Sequence, residues 1–183
     1  MRSDVFHAPT PVVGVQAVMR FYTEELEHRV DPLLGAAASR TRVFAWTAGV
    51  ALLGPALALL IGGTMTGLVA TRQDIGLSVG DVIRQAVAET PAVWVLVGIA
   101  LLVIGARPAV RLAPWLAVVA TFAITILGPL FRLWDWILGI SPLWHVPTVS
   151  APDASYRGLL VVGLLALVLV AAGFAGYRRR DLA

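Results

Sequence analysis

The chain has 183 residues, of which 58% are hydrophobic and only 14% charged, and its mean hydropathy is +0.84. Soluble domains are markedly less apolar, so the composition predicts an all-α membrane protein. The chain lacks cysteine, which excludes disulfides and thiolate metal sites, and its 14 basic residues are all arginine. These arginines are scattered beside apolar runs, a pattern typical of membrane topology and not of a nucleic-acid-binding surface.

Residues 1–42 are predicted to form a cytoplasmic N-terminal segment that contains an amphipathic helix. Apolar residues that recur on one helical face are Val15, Met19, Tyr22 and Leu26. Two acid–base pairs, Glu24 with His28 and Glu25 with Arg29, have the i,i+4 spacing that supports an exposed helix face. Asp31-Pro32 ends this helix, because the residue before a proline disfavours the α conformation. We therefore expect a helix, an elbow and a second short helix, all lying at a membrane surface.

Residues 43–183 are predicted to form a transmembrane domain with four spans, at 43–70, 90–106, 113–131 and 159–177. The first span contains Pro55, which should kink it, and a small-xxx-small pattern at Gly63 and Gly67 that allows close helix contact. Between the first two spans, Asp81, Arg84, Gln85 and Glu89 alternate with apolar residues, which predicts a short interfacial helix. The centres of the four spans carry no ionisable side chain, which disfavours an ion relay within this chain.

The region between the last two spans is predicted to form a re-entrant or interfacial hairpin. It carries three tryptophans, and its apolar runs at 137–140 and 143–149 are too short to cross a bilayer. Ser141 and His145, with Asp135 nearby, allow a membrane-hydrolase triad to be imagined, but Pro142 interrupts the turn between them. The three histidines lie far apart in the sequence, so no metal site is expected.

The arginine distribution predicts the orientation. If the N-terminus is cytoplasmic, ten arginines lie on the cytoplasmic side and four on the other. The positive-inside rule then places both termini of this multi-pass protein in the cytoplasm, in agreement with an even number of spans. The expected location is the cytoplasmic membrane.

Several segments, in the same order, resemble the permease subunits of type 2 ATP-binding-cassette exporters, especially the tetronasin-type or multidrug branch. The first segment runs from Glu24-Glu25 through the Asp31-Pro-Leu-Leu34 elbow to Ser39-Arg-Thr-Arg42. The other segments are 91–96, 105–108, 127–129 together with 140–147, and 173–182. The resemblance covers the C-terminal portion of such a permease. Family halves carry two further spans before the elbow, so the chain is expected to be a fragment, a split gene product or a remnant of such a permease.

The resemblance implies a non-enzymatic membrane subunit that couples ATP hydrolysis by a separate ATPase subunit to efflux of an apolar, antibiotic-like or lipid-like substrate. The elbow would be the coupling helix that contacts this ATPase, through Glu24, Glu25, Arg29, Asp31, Leu33 and Leu34. The outer gate would contain Trp136, Ser141, Pro142, His145 and Pro147. ATP and magnesium would be bound by the partner, with no cofactor in this chain, and a second permease half or a homodimer is expected. The alternative is a small four-span scaffold or interaction protein without transport activity.

Overall fold

The computed structural model describes residues 10–26, 40–72, 78–106, 112–149 and 156–180, which contain helices and turns but no strand. The helices are α1 (Thr10–Leu26), α2 (Arg40–Arg72), α3 (Val79–Ala106), α4 (Ala113–Leu130), α5 (Asp135–Leu138) and α6 (Arg157–Arg180). A single 3-10 turn, Pro142–His145, follows α5. The all-α prediction is confirmed for this part of the chain.

Among these helices, α2, α3 and α6 are long and apolar enough to cross a membrane. Helix α4, which corresponds to the predicted third span, has 18 residues. At 1.5 Å per residue it is about 27 Å long, slightly shorter than the ~30 Å hydrocarbon core of a bilayer. The chain is therefore membrane-embedded, with three helices of full spanning length and a fourth apolar helix just below it.

Helix α3 is the centre of the bundle. Within its most apolar window 61% of the residues are buried, against 28% for α2 and 17% for α6. It packs against α1, α2, α4 and α6, and its fully buried side chains include Val97, Leu101 and Ile104. A helix that is apolar on every side is buried by its neighbours, whereas α2 and α6 each leave one apolar face exposed.

The predicted break between an interfacial helix and the second span is wrong, because α3 runs without interruption from Val79 to Ala106 through Pro91. Proline has no backbone N–H, so the carbonyl of Val87 loses its usual helical donor. Membrane helices tolerate this loss where neighbouring groups satisfy the freed backbone. The 28 residues of α3 thus join a polar first third to an apolar remainder in one rigid element.

Glycines bring α3 and α6 into backbone contact. A Cβ atom on Gly105 would collide with the carbonyl oxygen of Gly173, and one on Gly173 would lie 2.7 Å from the carbonyl carbon of Leu101. Seven residues before Gly105, a Cβ on Gly98 would lie 2.9 Å from the Cβ of Leu169. We call this contact the α3–α6 seam; it can form only where at least one of the two facing residues lacks a side chain.

The small-xxx-small pattern of α2 also lies at a helix contact, as predicted. Gly63 is buried, and a Cβ there would lie 2.9 Å from the Cβ of Ala86. Gly67 is buried too, and a Cβ there would lie 3.0 Å from the Cα of Val79. The second half of α2 therefore packs closely along the first turns of α3.

The two ends of the bundle differ in composition. At one end Phe44 of α2 stacks on Tyr177 of α6, with ring centroids 4.3 Å apart and planes 9° apart. Arg42, Arg178 and Arg179 lie beside this stack in the sequence, and we call this the arginine end. The opposite end carries the turn between α4 and α6, and we call it the hairpin end.

Helix α1 packs inside the bundle along its first half. It begins at Thr10, before the amphipathic segment that the sequence indicated, and Val15 and Val18 are fully buried. A Cβ on Gly14 would lie 2.8 Å from Pro55 Cγ and 2.9 Å from the carbonyl oxygen of Ala51, at mid-height of α2. The one-sided burial agrees with the predicted amphipathic pattern, but the predicted position on a membrane surface is wrong for this half of α1.

Candidate functional site at the hairpin end

The chain reverses direction after α4 at Arg132. This residue has a φ of 50°, the left-handed conformation that commonly ends helices, and glycine usually occupies that position. The N–H of Leu133 donates to the carbonyl of Gly128 at 2.9 Å, which is the long bond of a Schellman motif. This turn directs α5 and the 3-10 turn back over the end of α4.

A buried pair of hydroxyl groups attaches this hairpin to α4. Ser141 is 1% exposed, and its Oγ lies 2.9 Å from Oγ1 of Thr125. Leu138 is buried against Gly128, where a Cβ on the glycine would collide with the leucine side chain. The contacts place Ser141 at the level of Thr125, one helical turn below the end of α4. The hairpin consists of single-turn segments, which suits an interfacial cap better than a re-entrant helix.

His145 does not form a nucleophile–base pair with Ser141. Its Nδ1 lies 3.3 Å from the backbone carbonyl oxygen of Ser141, whereas the serine hydroxyl is paired with Thr125. A general base must instead reach the proton of the attacking hydroxyl. The carbonyl of His145 lies against Gly158, 2.7 Å from the position of an added Cβ. The role of this turn is therefore to join α4 to the start of α6, and the geometry does not support the hydrolase hypothesis.

Two side chains of α3 hold the far end of the hairpin. The N–H of Val149 donates to Oε1 of Gln85 at 2.9 Å, and Nε2 of Gln85 donates to Oε1 of Glu89 at 3.2 Å. We call this chain of hydrogen bonds the Gln85 bridge. A single amide can serve both neighbours because it offers one acceptor and two donors.

Glu89 points into the bundle, contrary to the predicted amphipathic pattern. It is only 7% exposed, whereas Val87, one of the apolar residues of the same stretch, is 54% exposed. Its carboxylate accepts the hydrogen bond from Nε2 of Gln85, which in turn accepts one from the hairpin backbone. Glu89 is therefore a buried ionisable residue within a continuous membrane helix, a class of residue that is rare and usually functional.

The predicted gate residues lie in three different environments. Ser141, Pro142 and His145 come together in the 3-10 turn, and Pro147 is buried just beyond it. Trp136 lies apart on the outer surface, 64% exposed, with its ring centroid 6.3 Å from that of Trp134. Exposed tryptophans of this kind are typical of the membrane–water interface.

The predicted ATPase-contact residues are only partly covered by the structure. Glu24 and Glu25 lie in the last turn of α1, where the backbone alone is described. Arg29, Asp31, Leu33 and Leu34 lie outside the described residues. Within the described part of the chain, no three His, Cys, Asp or Glu side chains form a group that could hold a metal ion.

Sequence reasoning missed a hydrogen bond in the middle of the bundle. Trp94, near the start of the predicted second span, donates from its Nε1 to the carbonyl of Leu52 at 2.9 Å. This carbonyl is next to that of Ala51, which lacks its usual helical donor because Pro55 has no N–H. The contact could have been indicated by Pro55 in one span and Trp94 at the matching height of the next span.

Comparison with known proteins identifies the family. A family model described as the C-terminal domain of the multidrug efflux system permease Rv1217c matches residues 5–178. The chain belongs to this family. The multidrug efflux system permease protein Rv1217c of Mycobacterium tuberculosis is 32% identical over 170 residues, which cover 92% of this chain. The chain spans 31% of the length of that relative.

The family match confirms the resemblance that the sequence segments indicated, including its restriction to the C-terminal portion of a permease. It also agrees with the apolar helices of the bundle, because a permease domain is embedded in the membrane.

Proposed function

We propose that this chain is the C-terminal membrane portion of an exporter permease, which a separate ATP-binding-cassette ATPase drives. The observation that carries the proposal is the family match over residues 5–178. The proposed substrates are apolar and antibiotic-like or lipid-like. The four apolar helices are proposed to cross the cytoplasmic membrane with both termini on the cytoplasmic side, which is then the arginine end.

Energy would enter at the elbow that follows α1. In this proposal Glu24, Glu25, Arg29, Asp31, Leu33 and Leu34 contact the ATPase subunit, which binds ATP and magnesium. Helix α1 supports such a role because its first half is packed against α2 and α3, with Val15 and Val18 fully buried. A force on a helix fixed in this way is transmitted to its neighbours and not dissipated.

Helix α3 would carry the movement across the membrane. It packs against α1 and α6 and reaches the hairpin through the Gln85 bridge. The hairpin, with Ser141, Pro142, His145 and Pro147, would then act as the outer gate. A second permease half, supplied by the rest of the permease or by a second copy, would complete the substrate path.

The test is co-purification with the ATPase encoded nearest to this chain. We expect the ATPase to be retained by the native permease and lost when Glu25→Arg and Arg29→Glu are introduced separately. Arg157→Glu, at the opposite end of the bundle, is the matched control and should retain the ATPase. Export of a fluorescent apolar dye from efflux-deficient cells should fall in the same two variants.

Retention of the ATPase by both elbow variants would contradict the proposed contact. Unchanged dye export in a strain that lacks the ATPase would contradict ATP-driven transport altogether. In that case the chain would act as a scaffold within the membrane.

A further inference from the structure

An apolar groove runs along α6 toward the arginine end. Its volume is ≈ 440 Å³, and its lining residues repeat at helical spacing: Leu167, Val170, Ala171, Phe174, Ala175 and Arg178. Ala171 and Ala175 form the floor, because their side chains are the smallest in this set. Arg178 is the one charged residue in the lining, and it lies at the end of the groove.

The dimensions of the groove match one leaflet of a bilayer. From residue 167 to 178 a helix rises about 16 Å. Half of the ~30 Å hydrocarbon core is about 15 Å. Arg178 lies at the arginine end, one residue after Tyr177, which stacks on Phe44 near the start of α2. The groove therefore extends from the headgroup level on this side to the middle of the bilayer.

One wall of the groove is preformed. Phe174 and Val170 are only partly buried in it, since both also pack against the hydrophobic core. Phe174 lies beside Phe44, with ring centroids 5.7 Å apart. A site whose wall is held by the protein core loses little side-chain freedom when a ligand binds.

We propose that this groove binds one anionic phospholipid from the leaflet at the arginine end. The acyl chain lies along Ala171 and Ala175, and the phosphate accepts hydrogen bonds from the Arg178 guanidinium. Charge complementarity decides the occupant, because a guanidinium at the polar end of an apolar groove favours a phospholipid whose phosphate charge is not balanced by an ammonium group. This proposal does not depend on the transport function.

The test measures lipids retained by the purified protein from vesicles of equal phosphatidylglycerol and phosphatidylcholine, by native mass spectrometry. Arg178→Gln should lower the retention of phosphatidylglycerol relative to phosphatidylcholine about fivefold. Ala171→Leu combined with Ala175→Leu should fill the groove and lower the retention of both lipids. The matched controls are Arg157→Gln at the other end of α6 and Ala172→Leu, an exposed alanine outside the lining.

An equal loss of phosphatidylglycerol in Arg178→Gln and Arg157→Gln would overturn the proposal, because it would indicate general attraction to anionic lipid. A change of oligomeric state in the double leucine variant would also overturn it, since the groove would then hold a second copy of the chain. If the double leucine variant does not fold, Arg178→Gln decides alone, because the arginine side chain is exposed and its removal leaves the helix packing unchanged.

Discussion

The two ends of α3 are held by different kinds of contact. At the arginine end, Gly105 meets the backbone of Gly173 directly, and the neighbouring Phe44–Tyr177 pair is a stacked aromatic contact. At the hairpin end, α2 packs closely on the first turns of α3, but α3 holds the hairpin itself through the Gln85 bridge, which consists of hydrogen bonds. Close packing has one geometry, whereas a hydrogen bond near the membrane surface can be exchanged for one to water. The comparison teaches that the arginine end of the α3–α6 pair is the fixed end and that the attachment of the hairpin is the adjustable one.

The largest effect on stability is expected from Gly173→Leu, which disrupts the helix packing at the fixed end. The new side chain would collide with the backbone of α3 at Leu101, so the α3–α6 seam must open. We expect the free energy of unfolding to fall by about 3 kcal/mol or more, because the obstacle is backbone and cannot move aside. Thermal unfolding in detergent micelles measures the change.

The control for this variant is Gly62→Leu, since no heavy atom lies within 4 Å of a Cβ at Gly62. Its stability should change by less than about 1 kcal/mol, and in the favourable direction, because leucine has the higher helix propensity. Equal losses in the two variants would contradict the special role of the seam.

A smaller effect is expected at the hydroxyl pair of the hairpin. Ser141→Ala leaves the hydroxyl of Thr125 without its buried partner, which should cost about 1–2 kcal/mol. Thr125→Val removes the other partner, and the double variant should lose less than the sum of the two single variants. The double-mutant cycle is measured by thermal unfolding, and strict additivity would mean that the 2.9 Å contact contributes nothing.

Loss of the Gln85 bridge should change the local stability of the hairpin and not the global stability of the protein. Gln85→Leu releases the N–H of Val149 and costs about 1 kcal/mol, which corresponds to roughly fivefold faster hydrogen exchange at that segment. Exchange measured by mass spectrometry should rise in the peptide around Val149 and stay unchanged at the α3–α6 seam. Arg84→Leu, on the exposed neighbouring position, is the control, and equal acceleration in both would contradict the bridge.

The smallest effect is expected from Trp94→Phe, which removes the hydrogen bond to Leu52 but keeps an aromatic ring. Hydrogen bonds between membrane helices contribute about 0.6 kcal/mol on average, so the melting temperature should fall only slightly. Trp46→Phe, at a tryptophan that is 73% exposed, should leave it unchanged. A larger fall in melting temperature for Trp46→Phe than for Trp94→Phe would contradict the hydrogen bond between Trp94 and Leu52.

Much of the fold could be predicted because its signals are local. Apolar runs gave the positions of α2, α4 and α6 to within a few residues, and the spacing of Gly63 and Gly67 indicated a helix contact that the structure contains. Such features depend on a single segment and on the bilayer, so they can be predicted from the sequence of that segment alone.

The features that could not be predicted depend on a second segment. Pro91 looked like the start of a span because proline suits the first turn of a helix, but packing on all sides keeps α3 continuous through it. Glu89 looked exposed because its own helix is amphipathic there, yet it is buried and accepts a hydrogen bond from Gln85, which also binds the hairpin backbone at Val149. Short, non-spanning segments between the last two apolar helices were expected from the sequence, whereas their anchors Gln85 and Thr125 lie on other helices.

Pro55 is a point at which α2 can bend, because the helix lacks one backbone donor at this height. Gly14 of α1 lies against the proline ring and the Ala51 carbonyl, and Trp94 of α3 is hydrogen-bonded to the Leu52 carbonyl. Any bending of α2 at Pro55 must displace both neighbours, since each contacts the interrupted turn. Three helices that belong to distant parts of the sequence are therefore constrained to flex together, about a point near the middle of the membrane.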